Sequence, residues 1–177
     1  MTTEVILTGT GVPHPMAGRA GAGALVRCGD IALQFDAGRA TVLRLMEAGT
    51  PPHALAAVFV THVHSDHVVD LADVAMTRWV QQQLATSGPL VVVAPEGPTA
   101  RFVRRMLEPC DDDPALREAH VGVAPIGRTG RCASRGADPL HAAAQQPADA
   151  TAFAQDLRDG GYTGTITVGE DLTAVTL

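Results

Sequence analysis

The sequence predicts a layered α/β domain, because short apolar runs alternate with segments of helical periodicity. Five runs of apolar and β-branched residues predict strands over residues 4–8, 24–28, 31–35, 56–60 and 89–94. Apolar residues at helical spacing predict helices over residues 39–48, 66–83 and 99–107. With 177 residues, of which 46% are hydrophobic, the chain is long enough to bury one core.

Glycine and proline set the ends of these elements. The glycine-rich stretch 9–23 predicts a loop after the first strand, and the Gly-Asp pair at 29–30 predicts a hairpin turn. Gly49 and the proline pair at 51–52 end the first helix. The run 56–60 is apolar throughout, which is typical of a central strand that is buried on both faces.

The second half of the chain is less regular than the first. Weaker patterns predict a strand, a helix and two further strands over residues 121–126, 150–159, 165–168 and 172–175. Between Gly127 and Ala148, Leu140 is the one large aliphatic residue, so this irregular stretch has little with which to build a core. We therefore predict a single domain over residues 1–177 that is well formed in its first half and irregular over 127–148.

The composition excludes several kinds of protein. The net charge of -6 argues against a protein that coats nucleic acid. All 13 Lys-or-Arg positions are arginine, so neither a P-loop nor a lysine Schiff base is available. Three widely spaced cysteines support neither a disulfide framework nor a thiolate zinc site. No signal peptide or membrane span is visible, so we expect a cytoplasmic protein with no membrane partner.

Four candidate metal ligands, His62, His64, Asp66 and His67, follow the predicted strand 56–60. His62 and His64 are two residues apart on extended backbone, so their side chains point the same way. Asp66 and His67 lie at the start of the next helix, which directs their side chains towards those of His62 and His64. This ligand set suits Zn²⁺, with Mn²⁺ or Fe²⁺ as alternatives. Asp66 is also the candidate catalytic residue, which could bind a second ion, orient a water or take its proton.

The pattern Thr-His-x-His-x-Asp-His at 61–67 resembles the signature of the metallo-β-lactamase fold hydrolases. Leu-Thr-Gly-Thr-Gly-Val-Pro at 7–13 and Phe-Asp-Ala-Gly at 35–38 are similar to the ribonuclease Z and arylsulfatase-like branch. The resemblance covers residues 4–107, and the sequence of residues 160–172 resembles the C-terminal end of proteins of the same branch.

This resemblance implies a metallo-β-lactamase-like αβ/βα sandwich with a dinuclear site at its edge, incomplete in its C-terminal half. His62 and His64 would bind the first ion, and Asp66 and His67 the second, with Asp66 also handling a proton. The implied activity is metal-dependent hydrolysis by metal-bound hydroxide, as in a ribonuclease Z-like phosphodiesterase or endoribonuclease. Candidate partners are a small phosphodiester or related ester, an RNA 3′ end, and a second copy in a homodimer.

The resemblance also implies three further ligands that the sequence does not clearly supply. His120 and His141 are candidates for the missing histidines and Asp138 for a bridging carboxylate, although a loop or surface role is the commoner one for a lone histidine. The stretch 127–148 is compatible with a deletion, an altered reading frame or a divergent loop. The alternative function is therefore a truncated or degenerate, non-catalytic metal-binding or subunit module.

Overall fold

A computed structural model of the chain describes residues 2–81, 87–121, 155, 158–160, 163, 165, 167 and 169–177. Its strands are β1 (Thr3–Gly9), β2 (Gly23–Cys28), β3 (Ile31–Phe35), β4 (Ala57–Phe59), β5 (Val92–Val93) and β6 (Ala174–Thr176). Its α-helices are α1 (Thr41–Glu47), α2 (Ser65–Val68), α3 (Leu71–Gln81), α4 (Pro98–Arg105) and α5 (Asp112–Val121). Two short 3₁₀ turns cover Pro52–Ala54 and Glu108–Cys110. None of the described helices is long and apolar enough to cross a membrane.

The six strands form one mixed sheet in the order β5-β4-β3-β2-β1-β6. The pairs β1/β2, β2/β3 and β1/β6 are antiparallel, whereas β3/β4 and β4/β5 are parallel. The parallel pairs are those whose connections pass through helices, as crossover geometry requires. The fold therefore begins as a hairpin meander and continues as an α/β layer.

One side of the sheet, here called the helix-covered face, forms the core. The strand register aligns five of its side chains, all at most 4% exposed: Ile6, Leu25, Gln34, Val58 and Val92. Helices contribute buried apolar residues to the same cluster: Val42, Leu45, Leu71, Val74, Ala75 and Val103. Burying these side chains is the main favourable contribution to the stability of this layer.

The opposite side, here called the second face, carries the alternate residues of the same strands. Its large apolar side chains are Val5, Leu7, Val26, Ile31, Leu33, Phe35, Phe59, Val93 and Val175. Ile31 is exposed, and the other eight are only half-buried. The rings of Phe35 and Phe59 stack on adjacent strands with centroids 5.1 Å apart.

The structure corrects the predicted helix over 66–83, which is divided into α2 and α3. At the break, the Asp70 backbone N–H donates to the Ala37 carbonyl at 3.0 Å. The Asp70 carboxylate accepts from the Val42 backbone N–H at 3.0 Å. Asp70 thus satisfies a donor in the first turn of α1, whose own N-cap residue, Ala40, offers no side-chain acceptor. Burial raises the pKa of the Asp70 carboxyl, partly offset by this hydrogen bond.

Two predictions for the second half change as well. The prediction that a strand begins at 121 is wrong at that residue, because Val121 ends α5, and the remainder of 121–126 lies outside the described residues. The strand predicted over 172–175 is displaced to β6, because Asp171 and Leu172 form a turn and Leu172 has a φ of 65°. The predictions over 127–148, 150–159 and 165–168 lie wholly or largely outside the described residues.

Asp171 attaches this C-terminal segment to the first loop of the chain. Its nearly buried carboxylate accepts hydrogen bonds from the Thr10 N–H at 2.8 Å, the Thr10 hydroxyl at 2.7 Å and the Ala20 N–H at 2.6 Å. The Arg44 guanidinium on α1 adds an ion pair at 3.1 Å. Burial alone would raise the pKa of Asp171, but these hydrogen bonds outweigh it and hold the pKa below its ordinary value.

Candidate metal site

The histidine-rich motif lies at one edge of the sheet, where two neighbouring parallel strands end. β4 ends at Phe59, and the chain continues through residues 60–64 into α2, which begins at Ser65. The adjacent strand β3 ends at Phe35, directly before Asp36. The carboxyl ends of parallel strands are the usual place for ligand sites in α/β folds.

Asp36 holds both ends of the motif. One carboxylate oxygen accepts from the Thr61 backbone N–H at 2.7 Å, and the Thr61 hydroxyl lies within 3.0 Å of both oxygens. The other oxygen is 2.8 Å from His67 Nδ1. In the sequence, Asp36 stands out only as part of the family-like Phe-Asp-Ala-Gly segment, which indicates no role for it. Its position directly after the strand next to β4 was the available signal.

The backbone at Asp36 is itself supported from the core. Asp36 has a φ of 57°, a conformation that is uncommon outside glycine and asparagine-like residues. The fully buried Gln34 amide donates to the Asp36 carbonyl and to the Thr8 hydroxyl, each at 2.8 Å. A polar residue inside the helix-covered face therefore fixes the turn that presents Asp36 to the motif.

Asp36 also determines the orientation of the His67 ring. Because Nδ1 donates to the carboxylate, Nε2 faces the motif and lies 3.6 Å from an Asp66 oxygen. The hydrogen bond that His67 donates to Asp36 raises the pKa of His67 above its ordinary value. A carboxylate that orients a histidine and increases its basicity is a common support for a metal-binding imidazole.

His62 and His64 lie beside His67 in one cluster. His62 Nε2 is 2.9 Å from His64 Nδ1, and the Thr61 hydroxyl is 2.9 Å from His62 Nδ1. The His62 ring centroid is 4.5 Å from that of His64 and 4.1 Å from that of His67. Burial, followed by repulsion from His67 and His64, lowers the pKa of His62. The environment therefore favours the neutral imidazole, which is the form that binds metals.

Asp66 is nearly buried, at 5% exposure, and its backbone is enclosed by glycines. A Cβ atom at Gly38 would overlap the Asp66 carbonyl oxygen, and one at Gly21 would lie 3.0 Å from it. The Ala37 N–H donates to the His67 carbonyl at 2.7 Å. The segment after β3 therefore packs directly against α2, and this contact requires residues without side chains.

The donor types fit a divalent metal, but the observed arrangement is not a closed coordination shell. Two nitrogens bound to one tetrahedral zinc at ~2.05 Å would be about 3.3 Å apart. The His62 and His64 nitrogens are closer, at 2.9 Å, and hydrogen-bond to each other. In the described part of the chain, no three His, Cys, Asp or Glu side chains form a group that could hold a metal ion. The four candidate ligands are therefore neighbours, and their side chains would have to move slightly to bind a metal ion.

The additional ligand candidates are not joined to this cluster. His120 lies exposed on α5, where its Nδ1 donates to the Leu116 carbonyl of the same helix at 2.6 Å. No described metal-binding group includes it. Asp138 and His141 lie outside the described residues.

Comparison with known proteins identifies the family. A model of the family described as "Anti-Pycsar protein Apyc1" matches residues 3–95, which is more than half of the chain. The chain belongs to this family. The match includes β1 to β4, Asp36 and the whole histidine-rich motif.

Curated relatives named ribonuclease Z are similar to about two thirds of this family member. The protein from Mycobacterium sp. (strain KMS) is 44% identical over 117 residues, covering 66% of this chain and 40% of the relative. The protein from Mycolicibacterium gilvum (strain PYR-GCK) is 42% identical over 117 residues, covering 66% of this chain and 41% of the relative. The chain therefore spans about two fifths of the length of these relatives.

Solved structures confirm the predicted fold. The metallo-β-lactamase fold protein YhfI from Bacillus subtilis aligns with a TM-score of 0.52 at 26% identity, covering 58% of this chain and 42% of that one. The short form of human tRNase Z aligns with a TM-score of 0.52 at 27% identity, covering 61% of this chain and 39% of that one. The chain thus has part of the metallo-β-lactamase fold, in agreement with the predicted incomplete sandwich.

Proposed function

We propose that this family member is a metal-dependent hydrolase that cleaves a phosphodiester in the manner of ribonuclease Z. The observation that carries the proposal is the cluster of His62, His64, Asp66 and His67 at the end of β4, with Asp36 holding Thr61 and His67. Relatives at 42–44% identity over 117 residues of this chain are named ribonuclease Z.

Each side chain has a role in this proposal. His62 and His64 would bind one ion, and Asp66 and His67 a second, with Zn²⁺ favoured and Mn²⁺ or Fe²⁺ as alternatives. Such ions lower the pKa of a bound water and neutralise charge on phosphate oxygens. Asp66, nearly buried and 3.6 Å from His67 Nε2, would accept and return a proton. Asp36 would act through His67 and Thr61 as a positioning residue.

The substrate proposal is a small phosphodiester or related ester, with an RNA 3′ end as the alternative. The net charge of -6 favours the small substrate, because a long polyanion would be repelled by the surface as a whole. The proposed location is the cytoplasm.

The second candidate is a non-catalytic metal-binding or subunit module. It is favoured by the direct hydrogen bond between His62 and His64. In this case the motif would hold one ion or none and would not turn over substrate.

Measurements of metal content and of hydrolysis distinguish the hydrolase from the non-catalytic module. The purified chain is loaded with Zn²⁺ or Mn²⁺, analysed for metal by mass spectrometry, and assayed with bis(p-nitrophenyl) phosphate. The enzyme proposal predicts bound metal and turnover, at least about 100-fold lower turnover in His64→Ala and Asp66→Asn, and little change in His120→Ala, an exposed histidine outside the cluster. Bound metal with no turnover in either ion would favour the module, and absence of both would refute the metal site.

A further inference from the structure

The first loop of the chain, residues 10–22, lies at the edge of the sheet that carries the candidate metal site. β2 is antiparallel to both β1 and β3, so β1 and β3 run in the same direction. β1 ends at Gly9, and β3 ends at Phe35, directly before Asp36. The loop therefore leaves the sheet at the same edge as the residues that follow β3 and β4.

The end of this loop packs against the backbone of Asp66. The Gly21 N–H donates to the Arg39 carbonyl at 2.8 Å, and the Gly38 N–H donates to the Ala22 carbonyl at 3.1 Å. The Asp66 carbonyl oxygen lies against both glycines, since a Cβ at Gly21 would be 3.0 Å from it and one at Gly38 would overlap it. Because these backbones are closely packed, a displaced loop would displace Asp66 as well.

Asp171 joins the two ends of the loop. One oxygen of its carboxylate accepts from the Thr10 backbone N–H and hydroxyl, at 2.8 Å and 2.7 Å. The other accepts from the Ala20 N–H at 2.6 Å and pairs with Arg44 Nε at 3.1 Å. The Gly11 N–H donates to the Ala20 carbonyl at 2.7 Å, which closes the loop between these two points. The Asp171 side chain is only 6% exposed, so water competes little for its hydrogen bonds.

The contacts of Asp171 require a carboxylate. An asparagine has one acceptor oxygen and one NH₂ group, so in either orientation the NH₂ would face a backbone N–H, at Thr10 or at Ala20. Although burial opposes it, the hydrogen bonds hold the pKa of Asp171 below its ordinary value, so the carboxylate is charged at neutral pH. Asp171→Asn therefore keeps the size of the side chain and releases one end of the loop.

We propose that Asp171 is a positioning residue for Asp66, which it holds in place through the first loop. The path between them is short, because Asp171 binds the Ala20 N–H and the next residue, Gly21, packs on the Asp66 carbonyl. The C-terminal segment thereby supports the candidate metal site without supplying a ligand. The role of Asp66 as a metal ligand rests on the proposed function, whereas its positioning by Asp171 does not.

Hydrogen exchange followed by mass spectrometry tests the proposal on the full 177-residue chain without added metal. Asp171→Asn should accelerate exchange about 10-fold in the loop 10–22 and in residues 65–70, whose backbone N–H groups donate within α2 and to the segment after β3. Glu170→Gln is the matched control, because it changes a carboxylate to an amide at the neighbouring, exposed residue. It should leave exchange in both segments unchanged.

Three results of the exchange experiment would overturn the proposal. Faster exchange in the loop alone would show that Asp66 is held independently of the loop. Unchanged exchange in both segments would show that Asp171 does not hold the loop. Equal acceleration throughout the sheet would show only a lower overall stability.

Titration with Zn²⁺ against a chromophoric chelator connects this proposal with the proposed function. Asp171→Asn should weaken Zn²⁺ binding about 10-fold relative to the wild-type chain and to Glu170→Gln. Thr10→Val removes only the hydroxyl donor and should give a smaller loss, which provides a second variant if Asp171→Asn does not fold by circular dichroism. Unchanged affinity in a folded Asp171→Asn would overturn the proposal. A wild-type chain that binds no Zn²⁺ would refute the metal site, and exchange at residues 65–70 would still decide whether Asp171 positions Asp66.

Discussion

The two faces of the described sheet differ in how deeply their side chains are buried. Leu25 and Leu33 lie on adjacent strands, yet Leu25 is fully buried beneath the helices and Leu33 is only half-buried on the other side. Both faces are apolar, so hydrophobicity alone does not separate them. The difference shows that a strand pattern specifies which residues share a face, whereas the packing of other elements decides whether that face is part of the core.

The largest expected effect comes from truncating the helix-covered face. Leu25→Ala should lower the free energy of unfolding by about 2–5 kcal/mol, because it leaves a cavity in a packed core. Leu33→Ala removes the same atoms from the second face and should cost less than about 1.5 kcal/mol in the monomer. Urea unfolding measures both. Equal losses would show that the two faces are equally packed.

A smaller effect is expected where the helix-covered layer meets the candidate metal site. Gly38→Ala should lower the free energy of unfolding by about 1–3 kcal/mol and weaken metal binding, because its Cβ would push against the Asp66 carbonyl. Thermal unfolding and metal titration measure the two effects. Gly88→Ala is the control, since a Cβ there meets nothing within 4 Å and should leave both unchanged. Normal metal binding in Gly38→Ala would contradict the proposed role of this contact.

The C-terminal segment adds Val175 to the second face, and Asp171 holds that segment in place. The pKa of Asp171 is lower in the folded chain than its ordinary value of 3.8. Its contribution to stability is therefore present above pH 3.8 and is lost as the pH falls through the folded pKa. Asp171→Asn should lower the free energy of unfolding by about 1–2 kcal/mol near pH 7.

The pH dependence provides the control for this variant. The difference in unfolding free energy between the wild-type chain and Asp171→Asn should decrease as the pH falls below 3.8, in urea unfolding series at several pH values. A difference that stays constant across this range would show that the carboxylate charge contributes nothing to the attachment.

The smallest expected effect is at the margin of the second face. Ile31→Thr should change monomer stability by no more than about 0.5 kcal/mol, because Ile31 is already 55% exposed. A loss of more than about 1 kcal/mol in urea unfolding would contradict the partial exposure of Ile31.

Local elements were predicted well where a residue pattern and a turn signal coincide. The predicted strand 31–35 agrees with β3, and 24–28 differs from β2 by one residue, because alternation and the Gly-Asp turn specify both ends. The strand predicted over 89–94 is reduced to Val92–Val93, since only these residues pair with β4. The division between α2 and α3 was missed, because Asp70 turns there to meet α1, a contact distant in sequence.

In the candidate site too, local features could be predicted from the sequence, whereas contacts between distant residues could not. His62, His64, Asp66 and His67 could be predicted together because their spacing is local, and the structure places them side by side. Asp36 could not be assigned its role, because it meets His67 across 31 positions of sequence and only through the pairing of β3 with β4. Gln34 was missed for a similar reason, since its partner Thr8 is 26 positions away.

The amino-acid sequence by itself determined the periodicity of the strands and helices, the chemistry of the motif and the resemblance to the metallo-β-lactamase fold. These properties depend on residue type and short spacing, which the chain carries whether or not it is folded. The tertiary structure alone decided which sheet face is covered by helices, how Asp36 orients His67, and that Asp171 holds Thr10 across 161 positions. These depend on contacts between distant segments, which exist only after the chain has closed on itself.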